Sequence, residues 1–536
     1  MKEHSTDVLI VGAGPTGLLL ACELVRQGID FRIIDRSSKP SQLSRATGLH
    51  WLSLEILEDL GLGRRVREEG TWLPATSVYQ NGKLLKRIPL NTKPPGDASE
   101  PSPSLLILEQ YRAEELLTEH LAEQGVEIER KCELKDFKSD DSGVVATVSR
   151  KRMLETWNCR YIVGCDGPKS QIRESLGIAF PGLTYACPYL LAEVRMDWEL
   201  PAEMFRFLGE KADLMAVPLG GDLFRLTAWE KSGEEPSAGA AAGEQHASPG
   251  MAPTVEQIQS LVDQVVPVPA KVLEARTLLR YRIESRLALN YGKGRAFIAG
   301  DACHVHPPTG SQGLNTGFQD AYNLGWKMAA VLQGESPEKL LESYEQERRP
   351  VGNWVLNNTH QAAMTRFDML GNRFELDGDE LVVPAWNQST VNYRGSSAVM
   401  QMQSVGGELE LQAGDRAPDG LLGKAGSSDE TRLYDVLKGG KHQLLVFGGE
   451  GDEAFLELVT SVREQYDHCI DIHLVGVQGE GWGQESWVDP DGALAGAYSV
   501  GEPTAVLIRP DRYVGVKAGT HMVAPFLEFL GSYFSA

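Results

Sequence analysis

The sequence predicts an α/β protein. A Rossmann-like, doubly wound parallel-sheet domain comes first, an antiparallel sheet interrupts it, and a small separate α/β domain ends the chain. Three observations carry this prediction. Short apolar runs at 7–11, 31–34, 161–165 and 296–300 each lead into a Gly or Asp motif, as buried parallel strands do. Residues 223–229 instead alternate, with Phe224, Leu226 and Ala228 set against Arg225, Thr227 and Trp229. A turn with Pro218 and Gly220-Gly221 precedes them, which is antiparallel-strand chemistry. Beyond about 410 the order reads strand–helix–strand, then strand–strand–helix, with Pro503 just before a strand.

The 536 residues suffice for about three domains with sizeable cores. The expected boundaries are 1–180 and 286–400 for the two parts of the parallel-sheet domain with its connecting helices. The antiparallel, substrate-binding domain is expected at 181–285 and the terminal domain at 410–536. Strand 7–11 leads through Gly12-Ala13-Gly14-Pro15-Thr16-Gly17 into a helix ending near Gln27, with Gly28 as its stop. Strand 31–34 ends at Asp35, completing a β-α-β unit. Helix 51–60 carries Leu52, Ile56 and Leu60 on one face and stops at Gly61. Residues 230–253, rich in Gly, Ala, Ser, Pro and Glu, read as a loop or insertion. A long helix is expected at 316–332. In the tail, strands are expected at 442–447, 470–477, 504–509 and 513–517, with helices at 452–466 and 522–534. That order is thioredoxin-like.

The net charge of −22 excludes nonspecific nucleic-acid binding and docking on anionic lipid. Seven scattered cysteines without a CxxC pair form neither a disulfide framework nor a zinc site, and reduced thiols fit a cytoplasmic chain. The apolar stretch 8–25 is broken by Gly12, Gly14, Pro15, Gly17 and Glu23, which argues against a membrane span or secretion signal. His304 and His306 lack a nearby third ligand, so no metal is expected.

Gly12-x-Gly14-x-x-Gly17 follows a strand and opens a helix, the context a dinucleotide fingerprint requires. Gly12 permits the tight turn, Gly14 lets backbone approach a pyrophosphate, and Gly17 permits close helix–strand packing. Asp35, 18 residues after Gly17, is placed for a ribose hydroxyl. Two later motifs join it. One is Gly164-Cys165-Asp166-Gly167-Pro168-Lys169-Ser170-x-x-Arg173. The other opens Gly300-Asp301-Ala302-Cys303-His304-x-x-Pro307-Pro308-x-Gly310-x-x-Gly313-x-Asn315 and runs on through Asp320 and Asn323 to Lys327.

In combination these motifs resemble the single-component FAD-dependent aromatic hydroxylases, the class of para-hydroxybenzoate and phenol hydroxylases. The thioredoxin-like tail resembles the phenol and aromatic polyketide branch. The resemblance implies FAD, with NAD(P)H as a transient co-substrate that has no Rossmann domain of its own. It implies O2 as oxidant and an aromatic, phenolic or polyketide-like substrate, attacked by a flavin C4a-hydroperoxide. It assigns Gly12, Gly14, Pro15, Thr16, Gly17, Asp35 and Arg36 to the nucleotide. Arg45 falls to the pyrophosphate, Gln110 to the flavin vicinity, and Asp166, Gly167 and Arg173 to a motif shared with the nicotinamide coenzyme. Gly300 and Asp301 fall to the ribityl chain. Pro307 and Pro308 fall to the ring wall, and Gly310, Gly313, Leu314 and Asn315 to the pyrimidine edge. Asp320 and Asn323 are expected to brace the helix. Thr47 stands where phenol hydroxylases carry an aspartate, which favours a bulkier substrate.

The chemistry is flavin-centred. Tyr281, Arg282 and Tyr291 are either phenolate-positioning residues or ordinary sheet residues. Baeyer–Villiger oxygen insertion and a non-catalytic flavin-binding redox sensor remain open, as does a monomer or a homodimer. A halogenase would need a Trp-x-Trp motif, which is absent. The tail is expected to be redox-silent, since 448–452 holds no cysteine and Cys469 lies beyond the next helix. It is expected to pack on the FAD domain or on a second subunit.

Overall fold

The computed structural model of the chain describes residues 3–41, 44, 46–90, 105–185, 189–230, 252–281, 283–368, 388, 390–402, 410–424, 429–448, 453–477 and 486–535. Arg45, Arg282, Cys187 and nearly all of the 230–253 stretch lie outside them.

The expected apolar runs form one sheet. Strand Glu3–Val11 is central and pairs parallel with Met153–Gly164 on one side and Phe31–Asp35 on the other. Ala296–Ile298 adds to Met153–Gly164, also in parallel. The register aligns Val11 with Ile34 and Gly164, and Gly164 with Ile298. Gly12, Asp35, Cys165 and Ala299 therefore leave the sheet at one carboxyl edge, where open α/β sheets bind ligands. Val8, Leu9, Ile10, Ile33, Ile34, Ile162 and Val163 are buried, as strands covered on both faces must be. Helix Pro15–Arg26 and the long helix Gln312–Leu332 pack together over this sheet.

The second sheet runs Ala270–Tyr281, Tyr189–Trp198, Leu223–Glu230, Ala212–Gly220, Met204–Leu208, Ala75–Gln80 and Lys83–Pro89. All its pairings are antiparallel except Met204–Leu208 with Ala75–Gln80. It thus takes two strands from well before residue 181. The alternation read at 223–229 separates its two faces. Leu190, Ala192, Val194, Phe224, Leu226 and Ala228 pack under helix Val255–Val265, against Ile258, Leu261 and Val262. Thr254 and Gln257 close a capping box at the start of that helix.

In the tail, His442–Phe447 pairs parallel with Ile470–Val475 and antiparallel with Thr504–Ile508, which pairs antiparallel with Val514–Gly519. With helices Glu453–Tyr466 and Val523–Tyr533, this is the expected thioredoxin-like order. The tail packs on the FAD domain, one of its two expected partners. Arg509 holds Glu347 through both carboxylate oxygens at 2.7 and 2.8 Å, and Arg512 holds Asp59 at 2.7 Å. Lys327 also reaches Glu347, at 2.6 Å; burial pulls its ammonium down to about 8 although Glu347 opposes the shift. Asn323 donates to Glu347 and Asp511 in the same cluster. Among the described residues no helix is long and apolar enough to cross a membrane.

Candidate active site

The carboxyl edge of the first sheet and one face of the second enclose a single cavity of about 1070 Å³. That slightly exceeds the roughly 300–1,000 Å³ of ordinary small-molecule pockets.

Its nucleotide end is largely main chain. Gly12 has φ +105°, and a Cβ there would lie 2.3 Å from the Cys165 carbonyl oxygen. Only glycine allows this close crossing of the two strand ends. A Cβ on Gly14 would meet nothing within 4 Å, so that backbone faces open space in the cavity wall. The Asp35 carboxylate accepts the Ala13 amide at 2.9 Å and the Ser37 amide at 2.6 Å, which fixes the loop. Arg36, Arg130 and Gly167 also line this end. Asp166 Oδ2 accepts the Gln171 and Ile172 amides at 2.7 and 3.3 Å. Its Oδ1 is buried with no hydrogen-bond partner among the described residues, and burial pushes the carboxyl up.

The middle of the cavity is built by residues 299–314. Gly300 packs on Thr16, and Asp301 is exposed in the cavity wall. The long helix starts at Gln312, not at 316 as read from sequence. Gly313 and Leu314 therefore stand in its first turn, where amides lack intrahelical acceptors and the dipole favours negative charge. Asn315 Oδ1 accepts the His50 amide at 2.8 Å. Its Nδ2 donates to the Gly48 carbonyl at 2.9 Å and the Ser311 carbonyl at 2.6 Å. It braces this turn against strand Gly48–His50 and is not in the cavity wall.

Gln110 begins helix Gln110–Glu123, lines the cavity and donates to Glu114 at 2.9 Å. Pro308 lines the cavity, whereas Pro307 is buried behind it. Arg173 points away: it donates to the Ala302 and Pro168 carbonyls at 3.0 and 2.8 Å and lies over the Phe180 ring. Asp320 accepts from His304 at 2.6 Å and from Arg348 at 2.8 Å, a buried brace as expected.

The sheet end is made of side chains. Tyr189, Leu191, Arg225, Thr227, Met215 and Val217 face it from three neighbouring strands, joined by Met204, Arg206, Val78, Leu279 and Tyr281. Thr47 and His50 line the cavity too. Of the three candidates near the substrate, Tyr281 is in the wall and Arg282 is not described. Tyr291 is fully buried against Tyr344 and His304, in the core and not in the cavity wall. A Cβ on Gly352 would lie 2.4 Å from its hydroxyl, so helix packing occupies that side.

Sequence reasoning missed three groups. Glu114 lines the cavity, and burial pushes its carboxyl up to about 7. His306 lines it as well; burial and then His304 pull its imidazole down to about 3, so it is neutral. The third is an ion cluster around Glu193. The helical spacing of Gln110 and Glu114 was the one available signal.

The fit to a dinucleotide is good. An open glycine cradle, the Asp166-Gly167 turn and the first turn of helix Gln312–Leu332 line one cavity, and these features define a flavin or nicotinamide dinucleotide protein. Comparison with known proteins selects the flavin. A family described as an FAD binding domain matches residues 5–359. A flavin-dependent monooxygenase of Mycobacteroides abscessus is 33 % identical over 98 % of this chain and 99 % of its own. The 12-dehydrotetracycline 5-monooxygenase/anhydrotetracycline 6-monooxygenase of Streptomyces rimosus is 32 % identical over 95 % of this chain and 94 % of its own. The fold matches that of the flavin-dependent monooxygenase PieE, solved with FAD and substrate, with a TM-score of 0.80 and 22 % identity over 99 % of both chains. The chain belongs to the FAD-binding monooxygenase family, and FAD is its cofactor.

Proposed function

We propose that the chain hydroxylates an aromatic, phenolic or polyketide-like substrate, using NAD(P)H and O2. The observation that carries this reading is the continuity of the cavity. One space has a dinucleotide cradle at one end and a broad, mainly apolar sheet wall at the other. The tetracycline-directed relative supports a polycyclic aromatic substrate.

Bound FAD would supply hydride acceptance from NAD(P)H and activation of O2. The chain's own residues do the rest. Gly12–Thr16, Asp35 and Arg36 would hold the nucleotide, joined by Arg45, Asp166 and Gly167. Asp301 would accept a ribityl hydroxyl. The amides of Gly313 and Leu314 would face the pyrimidine edge and favour negative charge there. Leu191, Met215, Val217 and Leu279 would seat the aromatic rings and exclude water. Thr47 leaves no carboxylate at its position to take a phenolic proton. His306 Nδ1 lies 3.3 Å from the Pro307 carbonyl; with a proton there, neutral His306 keeps an acceptor at Nε2.

The test is NAD(P)H oxidation by purified holoenzyme across a panel of one- to four-ring hydroxylated aromatics, with product mass analysis. Slow oxidation alone, faster oxidation with a matching ligand and a product one oxygen heavier are expected. A rapid rate unchanged by every aromatic would overturn the reading.

A further inference from the structure

A cluster of two carboxylates and two guanidiniums, with Glu193 and Arg225 buried and Arg276 partly exposed, joins the second sheet to the nucleotide domain. Glu193, 1 % exposed, sits on strand Tyr189–Trp198. Its Oε1 accepts from Arg225 Nη2 at 2.5 Å, from the neighbouring strand on one side. Its Oε2 accepts from Arg276 Nε and Nη2 at 2.9 and 2.7 Å and from Thr277 Oγ1 at 3.2 Å, from the strand on the other. Burial pushes this carboxyl up, but Arg225 and Arg276 together hold it below its usual range, so it is ionised.

Both guanidiniums then cross to the nucleotide domain. Arg225 Nη2 donates to the Ser44 carbonyl at 3.0 Å. Arg276 Nη2 bonds Glu109, the residue before helix Gln110–Glu123. These two anchor points are themselves linked. Ser44 Oγ accepts the Gln110 amide at 2.9 Å and donates to the Ala46 carbonyl at 2.8 Å. Ala46, Thr47, Gln110 and Arg225 all line the cavity.

The opposite face of the sheet already has its apolar core. Burying ions costs desolvation that their attraction only roughly repays. The cluster is therefore better explained by position than by stability. Glu193 and Glu109 offset Arg225 and Arg276, so the cluster is neutral, and deleting either sign leaves one uncompensated charge by the cavity wall.

We propose that Glu193 is a positioning residue for the flavin. Through Arg225 and Arg276 it fixes Ser44, with Ala46 and Thr47 beyond it, and the start of helix Gln110–Glu123 against the substrate sheet, and it balances the charge beside the flavin. The inference rests only on FAD occupying this cavity, not on the hydroxylation reading.

The test compares wild-type, Glu193→Gln and Arg225→Gln holoenzymes by redox titration of bound FAD, FAD dissociation and thermal unfolding. Glu193→Gln leaves net positive charge, which favours the electron-rich reduced flavin, so its midpoint potential should rise. Arg225→Gln leaves net negative charge, so its potential should fall. Each should also speed FAD dissociation, because Ser44 and the start of helix Gln110–Glu123 lose an anchor. A packing defect would move both potentials the same way. Shifts of the same sign, or none, overturn the proposal. If either variant fails to fold, Arg276→Gln supplies a readout, its side chain being 41 % exposed. It should give a smaller fall in potential, and no fall would overturn the proposal.

Discussion

At its nucleotide end the cavity is bounded by main chain, at Gly12, Gly14, Gly167 and the 310–314 turn. At its sheet end it is bounded by alternate side chains of strands lying between residues 75 and 281. The difference shows how each kind of wall is written in sequence. A main-chain wall requires specific residues at fixed spacing, because only glycine tolerates the crossing and the approach. A side-chain wall requires only a period of two and a topology that brings the strands together.

Gly12→Ala should have the largest effect at the main-chain end. Its Cβ would enter the Cys165 carbonyl at a positive φ, where neither backbone yields easily. A loss of about 3 kcal/mol or more and no retained FAD are expected, measured by unfolding and flavin content. Gly14→Ala, with open space around it, should fold normally and still lose FAD.

Asp301→Ala should weaken FAD binding by about 10- to 100-fold, the loss of a charged acceptor worth roughly 1.5–3 kcal/mol. Wild-type affinity in that variant would remove Asp301 from the site. At the other end, Met215→Trp fills sheet-wall space. It should keep FAD at wild-type affinity while losing stimulation by the larger aromatics. Loss of FAD there would mean that the sheet wall also holds the nucleotide.

Glu114 offers a pH-dependent effect on stability. Burial raises its carboxyl from 4.5 to about 7, so its stabilising contribution is full below pH 4.5 and is lost as pH rises through 7. Glu114→Gln should flatten the fall in stability across that window, by roughly 3 kcal/mol. An unchanged slope would mean that Glu114 is not buried as a neutral acid. Least of all should change in Cys469→Ser. That thiol is buried and pushed up to about 12, so turnover should stay near wild type. Loss of turnover with FAD and folding intact would bring the tail into the chemistry.

Legibility in the sequence follows the same division. The glycine fingerprint, Asp35 and the parallel strands are local signals, and the structure brings them to one edge. The alternation at 223–229 marked an antiparallel strand, with Phe224, Leu226 and Ala228 in the core and Arg225 and Thr227 in the cavity wall, while Trp229 joins a second buried cluster. Strands Ala75–Gln80 and Lys83–Pro89 could not be assigned to that sheet, since pairing with Met204–Leu208 is fixed by topology, not by composition. The long helix begins four residues earlier than read, because Gln312 to Asn315 form its first turn, where the amides need no preceding helical acceptor. Tyr291 and Arg173 show the limit of motif reasoning. Proximity in sequence placed both near the site, but side-chain direction turned one into the core and the other onto neighbouring carbonyls. The Glu193 cluster joins residues 44, 109, 193, 225 and 276, a grouping that no spacing rule marks.

On the proposed function, one cavity brings FAD and an aromatic ring together for oxygen transfer. The most direct test is turnover under isotopically labelled O2 with an aromatic that stimulates NAD(P)H oxidation. One labelled oxygen per product, placed as a ring hydroxyl, is the predicted result. Unlabelled product, or NAD(P)H oxidation yielding only hydrogen peroxide with every aromatic that binds, would contradict it.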